Sequence, residues 1–200
     1  MDHHTATPAP SAPETASGTA PRAAATLRRL YFTRFAFAVV WAAVILSTAS
    51  HLGPVTGALL VLYPLFDVAA TVVDARASRA DGAAGGPLTG LYLNMAVSSL
   101  TAIAVGFAAA SGIPAVLRVW GAWAVVAGLI QLIVAVRRRR MGGQWPLIVS
   151  GAISTVAGTS FIAGAGAADP TLTGAAGYAV PGGIFFLISA LRLGRAARGR

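Results

Sequence analysis

Asp67 lies in the apolar run LYPLFDVAATVVDAR, residues 62–76, and Arg34 in the apolar stretch that follows Leu30. A carboxylate and a guanidinium in such surroundings can do one of two things. They can satisfy each other by a charge-assisted hydrogen bond, whose strongest form is two-pronged. Alternatively, the carboxylate can take up and release a proton. Burial favours its neutral form, and a nearby guanidinium favours its charged form. The competing reading has Arg34 extending along its methylene stem to polar surroundings beyond the apolar run, with Asp67 protonated or reaching a water-filled crevice. Two amides in other apolar runs, Asn94 and Gln131, can give and accept hydrogen bonds beside the pair.

Other chemistries lack their residues. The chain has no cysteine, which excludes disulfides, thiolate metal sites and cysteine nucleophiles. HExxH, GxSxG and P-loop patterns are absent. The loop GGPLTG, residues 85–90, is glycine-containing but is no phosphate cradle. His3 and His4 offer two ligands where a structural zinc takes four, and the expected role of their segment is a solvated tail. His51, expected in a turn, can titrate with external acid or have no role. The expectation is a protein that is not an enzyme and has no metal or cofactor.

The elements that carry these residues follow from composition. Of 200 residues, 56% are hydrophobic and 10% charged, with mean hydropathy +0.72. Soluble domains carry about 25% charged residues. A core of this size cannot hide so much apolar surface, so the expected solvent is lipid. Residues 1–25, rich in Pro, Ala and Thr, read as a disordered cytoplasmic tail, 26–195 as a transmembrane domain and 196–200 as a basic cytoplasmic tail. Six segments reach spanning length, near 30–50, 54–74, 88–111, 114–136, 144–166 and 171–193. SHLGP, SGIP and GAADPT mark short turns between them. Lipid offers the backbone no partners, so these spans are expected to be helices, giving an all-α membrane protein with six transmembrane helices arranged as three helical hairpins.

Arginine sets the orientation. All fifteen basic residues are arginine, and fourteen fall on one side of the six-span scheme, Arg118 excepted. By the positive-inside rule both termini are cytoplasmic, in the inner (plasma) membrane. The isoelectric point near 11.6 then reflects topology rather than nucleic-acid binding. The expected partners are the bilayer and the anionic headgroups facing the arginine-rich side. Association into a homo-oligomer is compatible with the sequence.

Depth narrows the partners of Asp67. At 1.5 Å per residue it falls about 5 Å to the cytoplasmic side of its helix centre. Arg34, Asn94 and Gln131 fall about 9, 8 and 9 Å to the same side, and Ser150 and Ser189 about 8 and 10 Å. Arg118 falls about 10 Å the other way, a poor partner. The expectation is a polar cluster of Arg34, Asp67, Asn94 and Gln131.

Glycine marks the packing. Gly121 and Gly128 share one face of the fourth span, and Gly151 and Gly158 one face of the fifth, so backbones can approach there. Pro64 and Pro181 are expected to kink the second and sixth spans. Tyr31 and Trp145 suit an inner aromatic belt and Trp120 an outer one. Asp74 and Asp81 are expected to offset charge in a loop, and Asp169 to cap the sixth helix. An internal repeat aligns PLFDVAATVV (64–73), GLIQLIVAVR (128–137) and GIFFLISALR (183–192), which makes Asp67, Gln131 and Phe186 equivalent.

The runs WGAWAVVAGLIQLIVAVRRRR and GQWPLIVSGAISTVAGTSFIAGAG, with YPLFDVAATVVDAR, resemble the short-repeat bacterial membrane proteins of the HdeD-like acid-resistance family. The resemblance covers roughly residues 28–195. It implies architecture more firmly than activity, and an acid-stress role without known catalytic residues. The alternative of another class is a small transporter or channel that uses the inner polar layer.

Overall fold

The computed structural model describes residues 19–80, 82, 86–137 and 145–198. Six helices follow in order: α1 (Thr19–Ser47), α2 (Pro54–Ala80), α3 (Gly86–Ala109), α4 (Ile113–Arg137), α5 (Trp145–Gly164) and α6 (Thr173–Arg198). No strand occurs among the described residues. Five helices are long and apolar enough to cross a membrane, while the apolar stretch of α5, Ile148–Gly164, is shorter. The outward surface agrees with a lipid solvent. Phe107, Val156 and Leu100 stand 78%, 68% and 67% exposed, a costly arrangement in water for side chains of this size.

Helix ends differ from expectation where good helix formers continue past the apolar run. α1 begins at Thr19, within the segment expected to be a disordered tail. The alanine-rich TAPRAAATLRRL favours helix, and its proline sits in the first turn, where no helical N–H is needed. Residues 1–18, His3 and His4 among them, lie outside the described residues. α2 runs to Ala80, so Asp74 belongs to a helix and not to a loop, and its carboxylate accepts from Ser78 Oγ at 3.3 Å. The chain turns out of α2 at Gly82, with φ +81°, a conformation that suits glycine. Asp81 and Arg138–Arg140 lie outside the described residues. α6 starts at Thr173, four positions past Asp169, which is too far for Asp169 to cap it.

The helices form a closed ring. Each packs on the next, and α6 returns to pack on α1. The pairs α4–α5, α1–α6 and α2–α3 are packed more closely than α1–α2, α3–α4 and α5–α6. The main core fills the half of the bundle next to the short turns 48–53, 110–112 and 165–172. Trp41, Ile45, Leu60, Val105, Trp120 and Leu172 are fully buried there. Trp120 is therefore a core residue and not a belt residue. Its ring stacks on Trp41 at 5.2 Å, and both meet Tyr63. Trp145, by contrast, is 74% exposed, as a belt position requires. Two turns are tied together at this end by Leu172 N–H donating to the Ala49 carbonyl at 2.9 Å.

Pro64 lies inside α2 and cannot donate to the carbonyl four residues back. Next to that gap, Trp41 Nε1 donates to the Leu59 carbonyl at 2.7 Å. The aromatic core thus supplies a donor where proline loosens the helix.

Candidate functional site

Arg34 and Asp67 meet because they stand equally far from the turn that joins their helices. Arg34 precedes Ser47, the end of α1, by thirteen positions, and Asp67 follows Pro54, the start of α2, by thirteen. Thirteen residues of helix span about 20 Å, so both side chains lie deep between the bundle's ends. Arg34 Nη2 donates to Asp67 Oδ1 at 2.9 Å, with the side chains 11% and 19% exposed. The same nitrogen reaches Thr71 Oγ1 at 3.0 Å and the Asp67 carbonyl at 3.3 Å. Its two hydrogens are thereby shared among three acceptors of α2. The contact runs through one nitrogen, and Nε is buried without a hydrogen-bond partner.

The other carboxylate oxygen is held by α3. Asn94 Nδ2 donates to Asp67 Oδ2 at 2.7 Å, and Ser98 Oγ donates to it at 2.8 Å. Asn94 Nδ2 also donates to Thr71 Oγ1 at 3.0 Å. A carboxylate only accepts, so the nitrogen of Asn94 must face Asp67. Three helices are joined at one anion, which receives an ionic donor and two neutral ones. Such charge-assisted bonds are short and about twice as strong as neutral ones.

Arg34 has a second neighbour. Its guanidinium lies over the Phe186 ring of α6, 4.6 Å from the centroid. Asp67 and Phe186 are equivalent in the sequence repeat, so Arg34 is held between two equivalent positions, by charge on one side and by ring face on the other. Gln131, the third equivalent, stands with Asn94 in a cleft between α3 and α4.

Ser98 and Thr71 belong to the cluster although depth alone does not single them out. Each lies four residues after a named member, Ser98 after Asn94 and Thr71 after Asp67. That spacing puts them on the same helical face. Both are buried, at 0% and 2% exposure. Ser189 shares the depth but spends its hydroxyl on the Phe185 carbonyl of its own helix at 2.9 Å. A second hydroxyl contact, Ser154 Oγ to Tyr178 Oη at 2.7 Å, links α5 and α6. No group of three or more His, Cys, Asp or Glu able to hold a metal occurs among the described residues.

The glycine pairs interlock. Gly121 faces Gly158 and Gly128 faces Gly151 across the antiparallel α4–α5 contact. A Cβ on Gly158 would stand 2.5 Å from the Gly121 carbonyl oxygen, and one on Gly128 2.8 Å from that of Gly151. No real side chain tolerates backbone at that distance, so these four residues set how closely α4 and α5 approach.

No family model, curated protein or solved structure matches the chain.

Proposed function

We propose that this chain is a multi-pass protein of the inner (plasma) membrane, HdeD-like, non-enzymatic, with a structural role in resistance to acid stress. Its six helices act as three hairpin repeats. Its support is the period of two helices in the packing around the ring, in which the hairpin partners α1–α2, α3–α4 and α5–α6 are the looser pairs and the closer pairs join neighbouring hairpins. The arginine-rich end, with both termini, faces the cytoplasm and anionic headgroups. The observation that carries the structural role is that both carboxylate oxygens of Asp67 are engaged by side chains of neighbouring helices. Its carboxylate receives Arg34, Asn94 and Ser98 and spends its charge inside the bundle. Stacked aromatic rings pack the half of the bundle beyond it. Clamp and core together favour a tight bundle over a conduit.

One observation favours a second reading, a small transporter or channel. The α3–α4 cleft brings two amides of the polar layer to an open surface. A strain lacking the chain, challenged with acid, and purified protein in sealed vesicles separate the two. The expected result is lower acid survival of the deletion strain, restored by the wild-type chain. Uptake of protons and small solutes by the vesicles should match that of protein-free vesicles. Fast, protein-dependent uptake would replace the structural reading with the transporter. Unchanged acid survival would remove the stress role.

A further inference from the structure

The α3–α4 seam, one of the looser contacts in the ring, holds a cleft of about 180 Å³. Gly90, Leu93, Val97 and Ile130 give it apolar walls, and Asn94 and Gln131 bring the amides. None of its lining residues is charged. Gly90 has open space where a Cβ would stand. Leu93 and Ile130 are 47% and 39% exposed, so the cleft continues onto the lipid-facing surface.

The clamp determines what Asn94 can offer this cleft. Its amide nitrogen has two hydrogens, which go to Asp67 Oδ2 and Thr71 Oγ1. Its carbonyl oxygen remains as the group with capacity to spare, and it is an acceptor. An occupant must therefore donate a hydrogen bond there. With no charge in the lining, burial of a charged head would go uncompensated. Depth points the same way. Asn94 stands eight residues inside α3 from Gly86, about 12 Å along the helix. That is deep for a phosphate or ammonium head and suits a hydroxyl.

The geometry points to a binding site for a long-chain alcohol, whose hydroxyl donates to Asn94 Oδ1 and whose tail lies against Leu93, Val97 and Ile130. The inference rests on the bilayer placement and is independent of any acid-stress role.

Photolabelling of the full chain in phospholipid nanodiscs tests it. The probe is hexadecanol carrying a diazirine in its chain near the hydroxyl, and its methyl ether, parent hydrocarbon and primary amine are the comparators. The alcohol should label residues 90–97 and 127–131. The ether, which cannot donate, should label these segments about fivefold to tenfold less, the worth of one neutral hydrogen bond. Gly90→Leu fills open space, so the variant should fold and lose the label. Equal labelling by alcohol and hydrocarbon would overturn the site, as would stronger labelling by the amine. Full labelling of a folded Gly90→Leu chain would do so too. The ether comparison uses the unaltered protein, so it decides the matter even if the variant does not fold. Failure of the chain to enter nanodiscs at all would overturn the bilayer placement and the site with it, by a separate readout.

Discussion

Asp67→Ala should destabilise the protein by about 3–5 kcal/mol, the usual cost of stranding one member of a buried ion pair. Arginine cannot shed its charge in a protein. With Asp67 gone, the Arg34 guanidinium keeps only the Thr71 hydroxyl, the backbone carbonyl of residue 67 and the Phe186 ring. Asn94 and Ser98 lose their common acceptor as well. The reverse change, Arg34→Met, should cost less. Asp67 keeps two neutral donors, Asn94 and Ser98. Combining Arg34→Met with Asp67→Ala removes both charges. It should leave the protein more stable than Asp67→Ala alone, a non-additive result that identifies a coupled pair. Apparent melting temperature and unfolding half-life in detergent rank the variants where unfolding is irreversible. A loss below about 0.5 kcal/mol for Asp67→Ala, the range of ordinary surface substitutions, would mean that the cluster does not hold the helices.

The second large effect concerns α4 and α5. Gly128→Val and Gly158→Val place side-chain carbon where the facing backbone already stands, within 2.8 Å in each case. Neither glycine faces the far end of a flexible side chain that could swing away, so the helices must separate. Overpacking of this kind costs about 1–3 kcal/mol per site, and more where backbone must move. Gly177→Ala is the opposite case. A Cβ at Gly177 meets nothing within 4 Å, and alanine in a helix interior is favoured over glycine by roughly 0.5–1 kcal/mol. The two kinds of substitution should shift the melting temperature in opposite directions. Equal, small effects at Gly128, Gly158 and Gly177 would show that α4 and α5 are not in close contact.

What the sequence reveals here depends on whether a feature is set by position along a helix or around it. Arg34 and Asp67 are equidistant from their shared turn, so their pairing follows from counting. The glycines of α4 and α5 recur at seven-residue spacing, two turns, so their shared faces follow as well. Rotation about the axis is a different matter. A helix that is apolar all round has no stripe to orient it, and Trp120 illustrates the result. Its place near a helix end suits the membrane surface, yet it points inward onto Trp41. Small hydroxyls carry little signal of their own. Thr101, Thr155 and Ser189 bond carbonyls of their own helices, while Ser98 bonds the anion. Only the four-residue spacing from Asn94 and Asp67 marks Ser98 and Thr71 as different. The start of α1 and the ends of α2 and α6 moved outward for a simpler reason. Alanine and arginine keep a helix going in water after the apolar run has ended.

The central claim is a lipid-embedded bundle whose ionic centre is shut off from water on both sides. The chain has no cysteine, so a single introduced thiol reports its own surroundings. In sealed vesicles treated with a membrane-impermeant maleimide, Ser50→Cys and Ala80→Cys, both at exposed positions, should label from opposite faces. Ser98→Cys, buried against Asp67, should label from neither. Labelling of Ser98→Cys from either face at a rate near that of Ser50→Cys would contradict the claim.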